Sequence, residues 1–526
     1  MNIKTPQMKN ILLAILSGIL FSISWPTYGF SVFIFVAFIP LLLAEKNIRI
    51  TYKNTKWRVF GYAYLTFLIW NLITTSWLYY ADLFGMLFAN LVNSLLMSLV
   101  FLMYHISAKR FSQKRSLLFL TVLWLSFEYL HLHWDFSWPW LNLGNVFSEN
   151  ITWIQWYEFT GIFGGSLWVL LINSFIFYGS SNKKNIKQIL PKSALFVGIP
   201  IIISFVMFHF YEIKGEQKEV ILLQPNIDPY TEKYNYTNNS ITKLLLEETD
   251  KLITSTTEFV IAPETVLAEN LPFERFLYSD VPQTLRSYID KHPKVQFLWG
   301  IDTYDLFTDE TQKTVYSNKL REDLWGNFYN MAIFMNEDCQ LQKYYKSKLV
   351  VGIETFPFKP VLEPILGNIM LDMGGTISVK TTQKQRSVFV GNDGTKIAPI
   401  ICYESVYGEY VTGYINNGAD FLAIITNDAW WEETQGHKQH LSLARLRAIE
   451  TRRDIARSAN TGISAFINQK GEITSKTRYN EKTALFGNVT LNQKQTLYVL
   501  LGDYIAKISV LIAVILFVIL FFRKRV

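Results

Sequence analysis

The sequence predicts a membrane-embedded α-helical bundle of eight transmembrane helices carrying a large α/β domain. Three observations predict it. Half of the 526 residues are hydrophobic and only 18% are charged, against about 25% charged in ordinary soluble domains. Long apolar stretches recur through the first 211 residues and return near the C-terminus. Between them the pattern changes to short apolar runs separated by turns and amphipathic helices, the alternation that builds an α/β fold.

The apolar stretches cover roughly 10–25, 29–44, 59–80, 84–106, 116–131, 161–179, 193–211 and 498–522. Several reach the ~20 residues needed to cross a bilayer, and 29–44 and 116–131 are shorter. Ser24-Trp25-Pro26-Thr27 offers no small-residue cleavage site, so the first stretch reads as a retained helix rather than a signal peptide.

Basic residues predict the orientation. Lys4 and Lys9 precede the first stretch; Lys46, Arg49, Lys53, Lys56 and Arg58 follow the second; Lys109, Arg110, Lys114 and Arg115 follow the fourth. Lys183, Lys184, Lys187 and Lys192 follow the sixth, and the chain closes with Arg523-Lys524-Arg525. The alternate connections 26–28, 81–83 and 132–160 contain no Lys or Arg. Positive charge marks the cytoplasmic side, so both termini are expected there. Seven crossings in residues 1–212 then deliver 213–497 to the outer face, and 498–526 form the returning helix with a basic tail. In a bacterium with two membranes that domain faces the periplasm from the inner membrane. The same placement explains the net charge of +7 without nucleic acid. Trp134, Trp138, Trp140, Trp153 and Trp156 crowd the 132–160 connection, as an interfacial aromatic belt or as the lining of a lipid-facing cleft.

In 213–497, strands are expected at Val220–Asn226, Phe259–Pro263, Val295–Gly300, Met331–Met335, Ile397–Cys402, Phe421–Thr426 and Ile463–Ile467. Helices are expected at Ser240–Thr254 and His437–Arg453, with insertions around 268–293 and 302–326. The two cysteines, Cys339 and Cys402, supply no disulfide framework. Cys339 reads as a turn residue. His131 and His133, and His437 and His440, lack paired cysteines, so no metal or other cofactor is expected; the last two read as a surface helix.

Three polar residues stand where strands run out: Glu264 after Ala262-Pro263, Lys346 after Tyr344-Tyr345, and Cys402 after Ile400-Ile401. A base, a cation and a thiol are the components of acyl transfer through a thioester. A helix expected from Glu404 to Thr412 would direct backbone N–H groups at Cys402 and favour its thiolate. Glu264, as a general base, is expected to gain a raised pKa from partial burial.

Ala262-Pro263-Glu264-Thr265, Tyr345-Lys346-Ser347-Lys348-Leu349 and Cys402-Tyr403-Glu404 resemble the Glu-Lys-Cys signature of the nitrilase, or carbon–nitrogen hydrolase, superfamily. With the apolar stretches, and with Leu223-Gln224-Pro225-Asn226-Ile227, Thr426-Asn427-Asp428-Ala429-Trp430-Trp431, His440–Thr451, Asn460–Ser464 and Ser137–Gly144, the chain is similar to bacterial apolipoprotein N-acyltransferases. The resemblance implies an αββα sandwich, with Glu264 as general base, Lys346 as oxyanion stabiliser and Cys402 as nucleophile. Glu354, Tyr403 and Glu404 would support the site, and Tyr234, Trp430 and Trp431 would contact substrate. It implies a ping-pong reaction: Cys402 takes the sn-1 acyl chain of a phospholipid, phosphatidylethanolamine being the expected donor. The thioester then passes it to the N-terminal cysteine amine of a diacylglyceryl apolipoprotein. A monomer is expected. Lid material would lie in 355–375. Leu349-Val350-Val351-Gly352-Ile353-Glu354 departs from the family's Leu-Val-Pro-Phe-Gly-Glu, which puts the loop's shape in question. Two other readings share these residues: a membrane-bound carbon–nitrogen hydrolase with water as acceptor, and a non-catalytic lipoprotein-binding protein.

Overall fold

The computed structural model describes residues 5–182, 185–233, 235–338, 340–358 and 379–522. Tyr234, Cys339, most of the expected lid segment and the basic tail lie outside these. The chain divides into two compact units, Met1–Tyr211 with Leu501–Val526, and Glu212–Leu500.

The first unit is helical. Its long helices are Thr5–Ile23, Ile39–Thr51, Lys56–Thr75, Leu83–Ala108, Gln113–His131, Tyr157–Ser181, Ile186–Phe210 and Tyr504–Phe522. Among the described residues six helical segments are long and apolar enough to cross a membrane: Ser31–Thr51, Lys56–Tyr80, Leu83–Ala108, Tyr157–Ser181, Lys187–Phe210 and Tyr504–Phe522. Gln7–Ile23 is apolar but shorter, and Gln113–His131, which carries Lys114, Arg115 and Glu128, is outside the six. Leu12, Ile202, Phe205, Leu511 and Phe517 are exposed, as side chains facing lipid would be. Inside, amides join the helices: Asn93 Nδ2 donates to Asn71 Oδ1 at 2.7 Å and Thr75 Oγ1 to Asn90 Oδ1 at 3.0 Å. Such bonds hold apolar helices together where burial alone cannot. The tryptophan-rich connection splits in character. Trp140 is buried with its ring 5.1 Å from that of Trp77, and Trp156 lies 5.7 Å from Trp168, so these two pack within the unit.

The second unit is a two-sheet sandwich. The first sheet contains β1 (Gln217–Gln224), β2 (Thr257–Ile261), β3 (Leu267–Pro272), β4 (Gln296–Phe307), β5 (Asn318–Arg321), β6 (Leu324–Met335), β7 (Gln342–Tyr345) and β14 (Thr483–Thr490). Its order is β14-β1-β2-β4-β6-β5, with β3 beside β4 and β7 beside β6. The second sheet runs β13-β12-β11-β10-β9-β8, from β8 (Phe389–Val390), β9 (Lys396–Ile401), β10 (Phe421–Thr426), β11 (Ile455–Ala459), β12 (Ala465–Ile467) and β13 (Ile473–Lys476). β1, β2 and β4 are parallel, as are β9, β10 and β11. β9 and β10 are buried almost throughout, the pattern of strands covered on both faces. Phe259 meets Phe421 and Phe334 stacks on Phe389 across the sandwich, with ring centroids 5.6 and 5.4 Å apart.

Helices close both outer faces. Ile241, Leu245, Val281, Leu285 and Ile289, from Asn238–Asp250 and Asp280–Lys291, join the apolar core of the first sheet. The second sheet carries Gly408–Asn416 and Gln435–Thr451. That last helix is a correction: it is buried nearly end to end, with His437 and His440 at most 1% exposed, because its polar residues find buried partners. The turn after β9 also differs from expectation. Cys402–Val406 is a 3-10 turn, and the α-helix starts only at Gly408.

Candidate active site

Strand ends from both sheets supply the cluster. Glu264 follows β2 by three residues, Lys346 follows β7 directly and Cys402 follows β9 directly. Two features fix the carboxylate. Gly300 on β4 lets the chain pass closely, since a Cβ there would lie 2.7 Å from Glu264 Cα. Thr265 adopts a left-handed φ of 46°, turning the chain so that Glu264 faces inward.

Lys346 Nζ donates to Glu264 Oε1 at 2.8 Å and lies 2.9 Å from Glu354 Oε1 and Oε2. Asn330 Nδ2, from β6, donates to the same two side chains at 2.7 and 3.0 Å. Glu264 Oε2 accepts the backbone N–H of Asn427, 3.2 Å away, from the end of β10 in the other sheet. Glu264 and Lys346 are 6% and 2% exposed. A buried ammonium between two carboxylates is a favourable arrangement only because each carboxylate oxygen finds a donor. Despite its altered sequence, the loop after Lys346 delivers Glu354. Gly352 takes a φ of 85°, Glu354 N donates to Val350 O, and Val350 N returns a bond to Glu354 Oε2 at 2.8 Å.

The pKa of Glu264 is lowered, not raised. Burial pushes it up, but the Lys346 ammonium, Asn330 and the more distant Lys233 outweigh burial. Lys346 is correspondingly raised: burial opposes its charge, and Glu264 and Glu354 overcome that. Cys402 is buried, and its thiol is pushed well up by burial and then by Glu264, against the pull of Lys346. The resting state is a carboxylate beside a neutral thiol. The expected thiolate-favouring helix end does not form. Cys402 instead sits at a φ of 48°, a strained conformation of the kind that collects at functional sites.

Glu404 is buried under the Cys402 turn, and burial raises its pKa. Its Oε1 accepts Tyr344 Oη, Tyr410 Oη and Ser347 N at 2.7, 2.8 and 2.7 Å, while Oε2 accepts Ile401 N at 2.8 Å. It therefore ties the residues flanking Lys346 and Cys402 to one carboxyl. Tyr403 is buried with its ring 5.2 Å from Tyr407. Trp430 and Trp431 lie in a short 3-10 turn after β10, their rings 5.1 Å from Tyr230 and 5.5 Å from His440.

Sequence reasoning missed three parts. Asn330 sits in an apolar run, and nothing local marks it. Asp428 Oδ2 accepts Arg457 Nη2 at 2.6 Å, and Asp428 Oδ1 accepts His440 Nδ1 at 3.0 Å. His440 Nε2 lies 3.0 Å from Ser405 Oγ, so this network braces the Cys402 turn from behind. Lys233 Nζ donates to Thr265 Oγ1 at 2.5 Å and lines a pocket shared with Glu264. The available signal for Asp428 and His440 was their place in quoted motifs; Lys233 lay one residue from the expected Tyr234. Among the described residues no cluster of three or more His, Cys, Asp or Glu is arranged to hold a metal.

Residues 315–497, which hold Lys346, Glu354 and Cys402 but not Glu264, match the family model "Carbon-nitrogen hydrolase". Residues 17–175 match "Apolipoprotein N-acyltransferase N-terminal domain". The chain is 27% identical over 538 residues to an apolipoprotein N-acyltransferase of Chlorobaculum tepidum, covering 98% of this chain and 97% of that one. It is 26% identical to apolipoprotein N-acyltransferase 1 of Treponema denticola, with coverages of 96% and 95%. Saccharomyces cerevisiae Nit3, of the nitrilase superfamily, superposes with a TM-score of 0.38 at 15% identity over 53% of this chain and 92% of its own. Over nearly its whole length the chain is therefore similar to apolipoprotein N-acyltransferases, and two separate segments of it match the two family models.

Proposed function

We propose that the protein transfers an acyl chain from a phospholipid, phosphatidylethanolamine in the first instance, through a Cys402 thioester to the N-terminal cysteine amine of a diacylglyceryl apolipoprotein. The observation that carries this reading is the buried Lys346 ammonium held between Glu264 and Glu354 and acting on the Cys402 thiol, within a chain similar to apolipoprotein N-acyltransferases over nearly its whole length.

In the first half-reaction Glu264 takes the thiol proton as sulfur attacks the sn-1 ester carbonyl. Lys346 holds the negative charge on the tetrahedral oxygen. Collapse breaks the bond to the glycerol oxygen, which takes the proton from Glu264 and leaves as a lysophospholipid. In the second half-reaction the neutral acceptor amine attacks the thioester, the carbon–sulfur bond breaks, and the amine's proton passes through Glu264 to the sulfur. A lowered Glu264 pKa suits this, because the carboxylate is ready at neutral pH beside a thiol that still carries its proton. Glu354 shares Lys346, and Glu404 ties the lysine and cysteine turns together. Trp430, Trp431 and Tyr234 are all assigned to substrate contact by sequence alone.

For the fold we propose eight spans, with both termini cytoplasmic and the Glu212–Leu500 unit on the periplasmic face of a bacterial inner membrane, acting as a monomer. The charge asymmetry of the short connections supports that arrangement.

The test is intact-protein mass spectrometry of the purified chain mixed with phosphatidylethanolamine, beside Cys402→Ala, followed by a diacylated lipopeptide. A hydroxylamine-labile acyl adduct on the wild type alone, discharged to the lipopeptide amine, supports the reading. Fatty-acid release without lipopeptide acylation would indicate a hydrolase, and the absence of any adduct a binding protein.

A further inference from the structure

Among the described residues five donors meet the buried carboxyl of Glu404, and they are of two kinds. Ile401 and Ser347 reach it with backbone N–H groups from beside Cys402 and Lys346. The other three are phenols. Tyr344 and Tyr410 donate to Oε1 at 2.7 and 2.8 Å. Tyr414 lies 3.2 Å from Oε2 and closer to Tyr344, donating to its hydroxyl oxygen at 2.6 Å. Tyr414, Tyr344 and Glu404 thus form a chain of hydrogen bonds in which each bond strengthens the next. Tyr410 and Tyr414 stand four residues apart on the helix Gly408–Asn416, so one helix face presents both. Burial, and then the charge of Glu404, hold all three phenols far above their ordinary range, so each keeps the proton it donates. Two cations face the same cluster: Glu404 stabilises the Lys348 ammonium, and Arg386 lies over the Tyr410 ring, 3.9 Å from its centroid.

The two backbone bonds are at full strength only while the carboxyl accepts at both oxygens. A neutral acid would turn one oxygen into a hydroxyl, a poorer acceptor that must itself donate, and so loosen Ile401 or Ser347. Burial favours that neutral form and is the leading influence on Glu404, with the backbone N–H groups and then Tyr344 and Tyr410 opposing it. We infer that Tyr410 and Tyr414 are positioning residues for acylation: by donating to Glu404 directly and through Tyr344, they keep it an ionised clamp between the Cys402 and Lys346 turns at neutral pH. The inference rests on the Cys402 acylation proposed above. The phenols act through Glu404 and not on the substrate, so their effect is the same for every acyl donor.

The pH profile separates positioning from packing. The rate of Cys402 acylation by p-nitrophenyl palmitate is measured by intact mass on the full-length protein, and each variant is read as its ratio to the wild type at the same pH. Tyr410→Phe combined with Tyr414→Phe is expected to fall to about a tenth of the wild-type rate at about pH 6 and to recover to within about threefold at about pH 8.5, because a group needed in its ionised form costs up to about tenfold per pH unit below its midpoint. The sign follows from Glu404 being an acid whose neutral form loosens the clamp. Glu404→Gln cannot ionise and is expected to be slow at every pH. A double variant slowed by one factor at all pH values would reduce the phenols to packing, and one slowed at none would show that the clamp does not need them; either overturns the inference. Should the double variant fail to fold, Tyr410→Phe alone is read the same way, since it leaves the bonds from Tyr414 to Tyr344 and on to Glu404 in place; its expected loss is about threefold at about pH 6 and none at about pH 8.5. A wild type that takes no acyl group from either the nitrophenyl ester or phosphatidylethanolamine would instead remove the acylation reading, and this inference with it.

Discussion

Cys402 sits in a left-handed backbone conformation beside a carboxylate whose pKa is depressed, and that pairing sets its chemistry. Glu264→Gln keeps the size of the side chain but cannot accept a proton. It is expected to reduce thioester formation by roughly 10²–10⁴-fold, read by the acyl-adduct assay, with Cys402→Ala giving no adduct. The pH profile follows from the shifts. Glu264 stays ionised, and its contribution is lost only as pH falls through its folded pKa, below the ordinary ~4.3; the thiol stays protonated throughout the neutral range. Acylation is therefore expected to be flat between about pH 6 and pH 8, whereas a rate climbing through pH 7 would mean that the thiolate is the reactive ground state. The same sign governs stability. A depressed carboxylate stabilises the fold above its unfolded pKa, and that stabilisation disappears as pH falls through the folded value.

At the scale of elements, the site depends on turns held from behind. Gly300→Ala would drive a methyl group into the backbone of the Glu264 turn, displacing the base while leaving β4 otherwise intact. The expected result is a large fall in acylation rate with a smaller change in melting temperature, and a variant with unchanged rate would refute the close approach. Arg457 and Asp428 form a fully buried pair, and Arg457→Met leaves the Asp428 carboxylate with His440 and Thr426 but without its guanidinium. Breaking such a pair costs about 3–5 kcal/mol, so thermal unfolding of this variant is expected at clearly lower temperature. Because His440 bridges Asp428 to Ser405 in the Cys402 turn, activity is expected to fall before the unfolding transition begins.

For the whole molecule, the charge pattern makes a prediction that coordinates alone do not. Single cysteines introduced at Asn54 and Asn182 in a Cys402→Ala, Cys339→Ser background are expected to resist a membrane-impermeant maleimide in intact cells. One at Asp135 or Asn480 is expected to react. Labelling at Asn54 or Asn182 from outside would reverse the proposed topology.

Much of this protein was legible without coordinates. Strings of apolar residues mark helices suited to lipid whatever their neighbours, since transfer from water depends on local composition. The Glu264, Lys346 and Cys402 motifs are recognisable because each sets a polar side chain where an apolar strand ends. Polar residues inside strands were not legible. Asn330 lies within β6 and announces no partner, and β11 itself was missed because Arg457-Ser458 breaks its apolar run. The helix carrying His440 looked like a surface helix because its polar residues suggest water; Asp428 and Ser405, distant in the chain, replace that water. The sequence by itself determined the helical and α/β halves and the reactive groups, through local hydrophobicity and residue chemistry. Only the tertiary structure decided the ionisation of Glu264, the bracing of the Cys402 turn and the setting of Lys233, because each depends on the balance between burial and charges brought together from different strands.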